Sequence, residues 1–216
     1  MKNPLKELIV QLLKKTYLYG PYRAWKTGPL KSDGWLRSFK EDRSVDGSGQ
    51  PLPWITYPAI DFLKKRIRPD MVVFEYGCGF SSLWWASRVS AVVSVEHDRT
   101  WYEKMKAAVP KNVNINHVVL EYGGAYSKKI LEYDAAFDIV LIDGRDRVNC
   151  ARNSIKALKP GGVIVWDNSD REEYEPGMRF LLEHDFRRIE FTGLAPLIDY
   201  KSETSVFYRQ DNCLGI

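Results

Sequence analysis

Cysteine is scarce in this sequence, three in 216 residues. Cys78, Cys150 and Cys213 are odd in number, far apart and never form a Cys-x-x-Cys pair. That excludes a disulfide framework and a cysteine-built zinc site, and it suits a reducing compartment. No apolar run approaches the roughly 20 residues needed to cross a bilayer. A long apolar core followed by a small-residue cleavage site is missing from the N-terminus, so the expected location is cytoplasmic. Internal repeats and low-complexity tracts are also missing. Net positive charge is confined: residues 1–40 carry nine Lys or Arg against Glu7 and Asp33, while the whole chain is only +4. The remainder is therefore slightly acidic, which speaks against a general nucleic-acid groove and for a small-molecule partner.

What is present is ordinary in bulk and specific in one place. Hydrophobic residues at 44% and charged residues at 28% fit one globular domain with a real core. Residues 71–79 read Met-Val-Val-Phe-Glu-Tyr-Gly-Cys-Gly. A short apolar run ends in an acid, and Gly77 and Gly79 follow. This predicts a buried strand entering a tight turn, with Phe80-Ser81-Ser82-Leu83-Trp84-Trp85-Ala86 opening a helix. A second strand, Ala91 to Val95, ends in Glu96. That carboxylate lies about 20 residues beyond the first glycine, the offset of a ribose-binding acid.

The third glycine of a dinucleotide fingerprint is replaced by Ser82, which weakens a nicotinamide reading. The pattern Glu75-Tyr76-Gly77-Cys78-Gly79 instead resembles the first motif of the class I S-adenosylmethionine-dependent methyltransferases. The resemblance implies that the glycine turn meets the methionine end of the cofactor and that the acid after strand two binds its ribose. It places Glu75, Gly77, Cys78, Gly79 and Glu96 at the cofactor. It also places the stretch after strand three, with Glu121, beside the adenine. His97 is read either as stacking near that ring or as a surface histidine.

The later chain alternates regularly. Strands are expected at 113–120, 137–142, 163–166, 186–192 and 204–209, with helices near 59–66, 81–88, 99–108, 126–132, 147–157 and 174–183 and a Lys159–Gly162 turn before strand five. Alternation of this kind implies an α/β fold, a doubly wound and mostly parallel sheet with helices on both faces. The last two strands lack a helix between them and are expected to pair as an antiparallel edge hairpin, which gives the Rossmann-like seven-stranded sheet of the resembled class.

Strand four ends in Asp143 and strand five in Asp167-Asn168. Three oxygen donors at neighbouring strand ends suit Mg²⁺ or Ca²⁺. The order resembles the metal-dependent O-methyltransferases of the catechol O-methyltransferase type, which would make Asp143, Asp167 and Asn168 metal ligands. That family's catalytic lysine stands three residues after the first Asp, where this chain has Asp146. Asp143, also expected at the cofactor, and Asp146 are the candidate catalytic residues: the flanking Arg145 and Arg147 cannot act as bases, so either Asp146 is the base or a metal-bound substrate hydroxyl ionises without one.

Residues 4–15 predict an amphipathic helix, with Leu5, Leu8, Ile9, Leu12 and Leu13 on one face and Lys2, Lys6, Lys14 and Lys15 nearby. Either it lies on the inner face of an anionic membrane, or it packs on its own domain or on a second copy in a homodimer. Residues 16–58 show no clear period but many aromatics, and read as part of an N-terminal extension (1–58) folded over a catalytic domain (59–216). Trp54 and Tyr57, with Arg145 and the Tyr200-Lys201 pair in the last inter-strand loop, are the candidate acceptor contacts. The functional expectation is methyl transfer to the oxygen of a small hydroxylated acceptor, a saccharide or similar metabolite, with Mg²⁺ assisting. The competing readings are a nicotinamide-dependent oxidoreductase and a non-catalytic adenosyl-binding module.

Overall fold

In the computed structural model, which describes residues 4–216, seven strands form one sheet: β1 (Val72–Tyr76), β2 (Ala91–Glu96), β3 (Val113–His117), β4 (Phe137–Ile142), β5 (Leu158–Asp167), β6 (Arg187–Gly193) and β7 (Ser202–Tyr208). Their spatial order is β3-β2-β1-β4-β5-β7-β6. The first five pair in parallel, and β7 runs antiparallel to both β5 and β6. The chain winds outward from β1 through β2 to β3, then returns to place β4 on β1's other side. The carboxyl ends of β1 and β4 thus flank a topological switch point, where open α/β sheets bind ligands.

Among the described residues ten α-helices accompany the strands: α1 (Pro4–Lys15), α2 (Tyr19–Thr27), α3 (Pro29–Ser32), α4 (Trp35–Glu41), α5 (Tyr57–Lys64), α6 (Phe80–Ala86), α7 (Arg99–Ala108), α8 (Ala125–Lys128), α9 (Arg147–Ser154) and α10 (Glu175–Glu183). The central strands are apolar on both faces because both are covered. Phe74, Tyr76, Val140, Ile142 and Trp166 pack with Tyr126, Phe137 and Leu181 on one side. Val73, Ile139, Leu141 and Val165 pack with Ile60, Leu63, Trp84 and Trp85 on the other.

Three expectations need correction. Residues 16–58 are not simply irregular: α2, α3 and α4 lie within them. At nine, four and seven residues these helices are too short to print a period, and Gly28 and the left-handed Gly34 (φ 91°) separate them. The Lys159–Gly162 segment belongs to β5 itself rather than to a turn before it. The third strand stops at His117, three residues short of the expected end.

The N-terminal helix forms where its apolar period places it. Lys2 lies outside the described residues. Leu8, Ile9 and Leu12 remain exposed within this chain, so α1 does not bury its apolar stripe on its own domain. Among the described residues no helix is long and apolar enough to cross a membrane. The segment from α4 to α5 does fold against the main body: Trp35 Nε1 donates to the Ile198 carbonyl at 2.7 Å, and Tyr57 N donates to that of Leu194 at 2.9 Å.

Candidate functional site

The turn after β1 satisfies its own backbone. Gly77, at φ +91° where an L side chain is strained, donates its N–H to the Val95 carbonyl at 2.8 Å. Cys78 N donates to Glu96 Oε2 at 3.1 Å, and Gly79 N donates to Ser82 Oγ at 3.1 Å. Ser82, standing where a third glycine was missing, is thus a working part of the turn. Its hydroxyl in turn donates to Glu75 Oε2, as does Ser94 Oγ at 2.7 Å.

Glu75 is fully buried beneath the turn, and burial pushes its carboxyl up to about 7. It does not line the cleft. The reading of Glu75 as a cofactor contact is therefore corrected: it fixes the turn through Ser82 and Ser94.

Above the turn lies a cleft of about 540 Å³, within the range of small-ligand sites. Gly77, Cys78, Glu96, His97 and Asp143 form its β1–β2–β4 side. Gly79 borders an adjoining hollow of about 260 Å³ with Phe80, Arg43 and Leu197. Glu96 is 5% exposed and is the anchor of the site. Its Oε1 accepts from His97 N at 2.7 Å and Asp98 N at 2.8 Å. Oε1 also lies 2.9 Å from His97 Nδ1, so the acceptor position left for a ligand hydroxyl is on Oε2, which takes only Cys78 N. The Cys78 thiol is pushed up by burial and by the Glu96 charge, which makes it a small filler and not a nucleophile.

At the β4 and β5 ends, Arg147 is the organising residue. It is buried, and its guanidinium donates to the Gly144 carbonyl at 3.0 Å, to the Asp143 carbonyl at 2.7 Å, to Asp143 Oδ1 at 3.2 Å and to the Asp167 carbonyl. Asp167 Oδ1 accepts from Thr204 Oγ1 at 2.7 Å, and Asn168 Nδ2 donates to Ser202 Oγ at 3.1 Å. Burial pushes Asp167 up to about 6; Asp143 is pushed up by burial and then by the Asp167 charge. These residues meet, as expected, but they do not fit a divalent cation. The Arg147 guanidinium already lies 3.2 Å from Asp143 Oδ1, and a dication on the Asp143 carboxylate would face it at short range. Among the described residues no cluster of three or more His, Cys, Asp or Glu is arranged for a metal.

Other expected residues divide. Trp54, Arg145 and Tyr200 line the cleft. Asp146 does not: it stands at the N-cap position of α9 with φ 52°, its Oδ2 accepting from Gly123 N at 2.8 Å and its Oδ1 from Asn149 Nδ2 at 2.7 Å. Both oxygens are engaged away from the cleft, which removes it as a base. Glu121 is exposed, outside the cleft, its carbonyl closing a turn with Gly124 N at 2.9 Å. Tyr57 is half-buried among α5 and β-sheet neighbours, its hydroxyl without a partner and pushed up by burial. Lys201 is exposed and likewise off the lining.

Sequence reasoning missed Trp101, Ser81, Asp98 and Arg171, all of which face the cleft. Trp101 Nε1 donates to the Cys78 carbonyl at 2.6 Å, so its indole walls the turn. A signal existed: Asp98 caps α7 by accepting from Trp101 N at 2.7 Å, which puts a large ring in the first turn, beside the ligand side of the sheet.

No family model matches the sequence, and no curated protein does. Solved structures match the fold. An O-methyltransferase from Bacillus cereus in complex with SAH aligns with a TM-score of 0.56 at 16% identity, over 88% of this chain and 96% of that one. A precorrin-6y C5,15-methyltransferase from Geobacter metallireducens gives 0.56 at 16%, over 71% and 87%. A SAM-dependent O-methyltransferase from Thermotoga maritima gives 0.53 at 16%, over 73% and 67%. The fold is the one these class I S-adenosylmethionine-dependent methyltransferases share.

Proposed function

We propose that this chain transfers the methyl group of S-adenosylmethionine to an oxygen of a small hydroxylated acceptor without a divalent cation. One observation carries the reading: every N–H of the glycine turn is used internally. Gly77 N goes to Val95, Cys78 N to Glu96 and Gly79 N to Ser82. A dinucleotide uses turn donors of this kind, together with those of the helix start, for its diphosphate, and here the three turn donors are taken. A sulfonium nucleoside needs none, only space, a carboxylate for its ribose and a flanking ring, and Glu96 and Trp101 stand there.

When bound, the cofactor supplies a methyl group already activated by its sulfonium. The protein's share is to align the acceptor, exclude water and take a proton. Asp167, pushed up to about 6 and held through Oδ1 by Thr204, is the proton acceptor we assign, with Asp143 beside it. A base poised near neutral pH is what such a transfer uses. Trp54 and Tyr200, half-exposed at the mouth, suit stacking on a sugar or aromatic acceptor. Arg145 and Arg171 favour an acceptor carrying negative charge.

The test is turnover. The protein is incubated with S-adenosylmethionine and a panel of hydroxylated saccharides and phenols, and release of S-adenosylhomocysteine is followed with and without EDTA. The reading expects release with at least one acceptor, unchanged by EDTA and lost in Asp167→Asn. Strict dependence on Mg²⁺ would refute the metal-free part. Cofactor binding without turnover on any acceptor would favour a non-catalytic adenosyl module.

A further inference from the structure

The N-terminal segment carries two features that methyl transfer does not use. On α1, Leu8, Ile9 and Leu12 are 65%, 49% and 62% exposed and form one helical stripe. Nearby, α2 to α4 shape a groove of about 580 Å³ lined by Trp25, Lys26, Lys31, Arg37, Lys40 and Glu41. Glu41 is already held by Arg37 at 2.5 Å and by Arg43. Its charge is thereby matched, and Lys26, Lys31 and Lys40 give the groove a net positive field.

We propose that residues 4–40 dock the protein on an anionic lipid bilayer, with Leu8, Ile9 and Leu12 at the headgroup–acyl boundary and the Lys26–Lys31–Lys40 groove on phospholipid phosphates. Charge decides the occupant. Residues 1–40 hold nine Lys or Arg against two acids, so a second copy on the same face would bring two strongly cationic segments together. An anionic leaflet attracts the same segment. The exposed rings of Tyr17 and Trp25 are of the type that settles at the headgroup level. A helix pairing an apolar stripe with a basic surround is the form of an interfacial anchor.

Sedimentation of the full chain with vesicles decides it. We expect co-sedimentation with phosphatidylserine-rich vesicles, little with phosphatidylcholine alone, and release in roughly 0.5 M salt. The double variant Leu8→Glu/Leu12→Glu should partition at least about tenfold more weakly, and so, separately, should Lys31→Glu/Lys40→Glu. All four positions are exposed, and circular dichroism should be unchanged. Equal binding to neutral vesicles, or none to anionic ones, overturns the proposal. So does a dimer in sedimentation velocity that Leu8→Glu/Leu12→Glu dissolves, which would assign the face to a second copy.

Discussion

The indole of Trp101 donates its N–H to the Cys78 carbonyl at 2.6 Å, tying the first turn of α7 to the glycine turn after β1. Two elements from separate βα units thereby share one wall of the cleft. Trp101→Phe keeps the ring but leaves that carbonyl without its donor. Affinity for S-adenosylhomocysteine should fall by about 1 kcal/mol, roughly fivefold. Calorimetry on variant and wild type checks it, and unchanged affinity would detach Trp101 from the site.

Glu96 is the stronger case. Glu96→Ala removes the acceptor of three backbone N–H groups as well as the expected ribose contact. Cofactor affinity should drop by at least about 2 kcal/mol, and melting temperature should fall with it. Glu96→Gln separates the two effects, because it retains an acceptor oxygen.

Arg147 holds both acidic strand ends from a buried position. Arg147→Met should destabilise the fold by about 3–5 kcal/mol, since it leaves Asp143 and the Asp167 carbonyl unmatched. Arg147→Lys should recover only part, because an ammonium cannot fork across four acceptors. Denaturant midpoints provide the measurement. EDTA should leave the wild-type midpoint where it is.

The buried acids reverse the usual pH trend locally. Glu75 is pushed up to about 7 and Asp167 to about 6, above unfolded values near 4. The folded state then binds more protons than the unfolded one between roughly pH 4 and 7. Their contribution is full below pH 4 and is lost as pH rises through 6 to 7. Melting temperature of the wild type relative to Glu75→Gln should therefore decline from about pH 4.5 to 7.5. A relative rise would contradict the burial argument.

Gly144 permits the close approach of β4's end to the glycine turn. A Cβ there would stand 2.1 Å from the Tyr126 hydroxyl and 2.9 Å from the Tyr76 carbonyl carbon. Gly144→Ala should cost about 1–3 kcal/mol of stability, read by thermal melting.

Much of this was legible from local pattern. The β1 run, its glycine pair and Glu96 announce themselves, because a buried strand, a tight turn and a strand-end acid all have short-range signatures. Asp143, Asp167 and Asn168 converge because parallel strands put their carboxyl ends together. What was illegible depended on side-chain direction. Arg147 reads as a surface cation, and only folding shows it reaching back to two strand ends. Asp146 was given a role by its spacing, yet its two oxygens are taken by Gly123 N and Asn149 Nδ2, off the cleft. Glu75 looks like a ligand contact in the motif but lies beneath the turn and off the cleft, its Oε2 taken by Ser82 and Ser94. The short helices between residues 19 and 41 offered no period to read.

The most direct measurement is titration calorimetry of the purified protein with S-adenosylhomocysteine and, separately, NADH, each with and without Mg²⁺. The account predicts one S-adenosylhomocysteine site, indifferent to Mg²⁺, and no heat from NADH. Binding of NADH without S-adenosylhomocysteine would mean that the turn at Gly77–Gly79 serves a diphosphate after all.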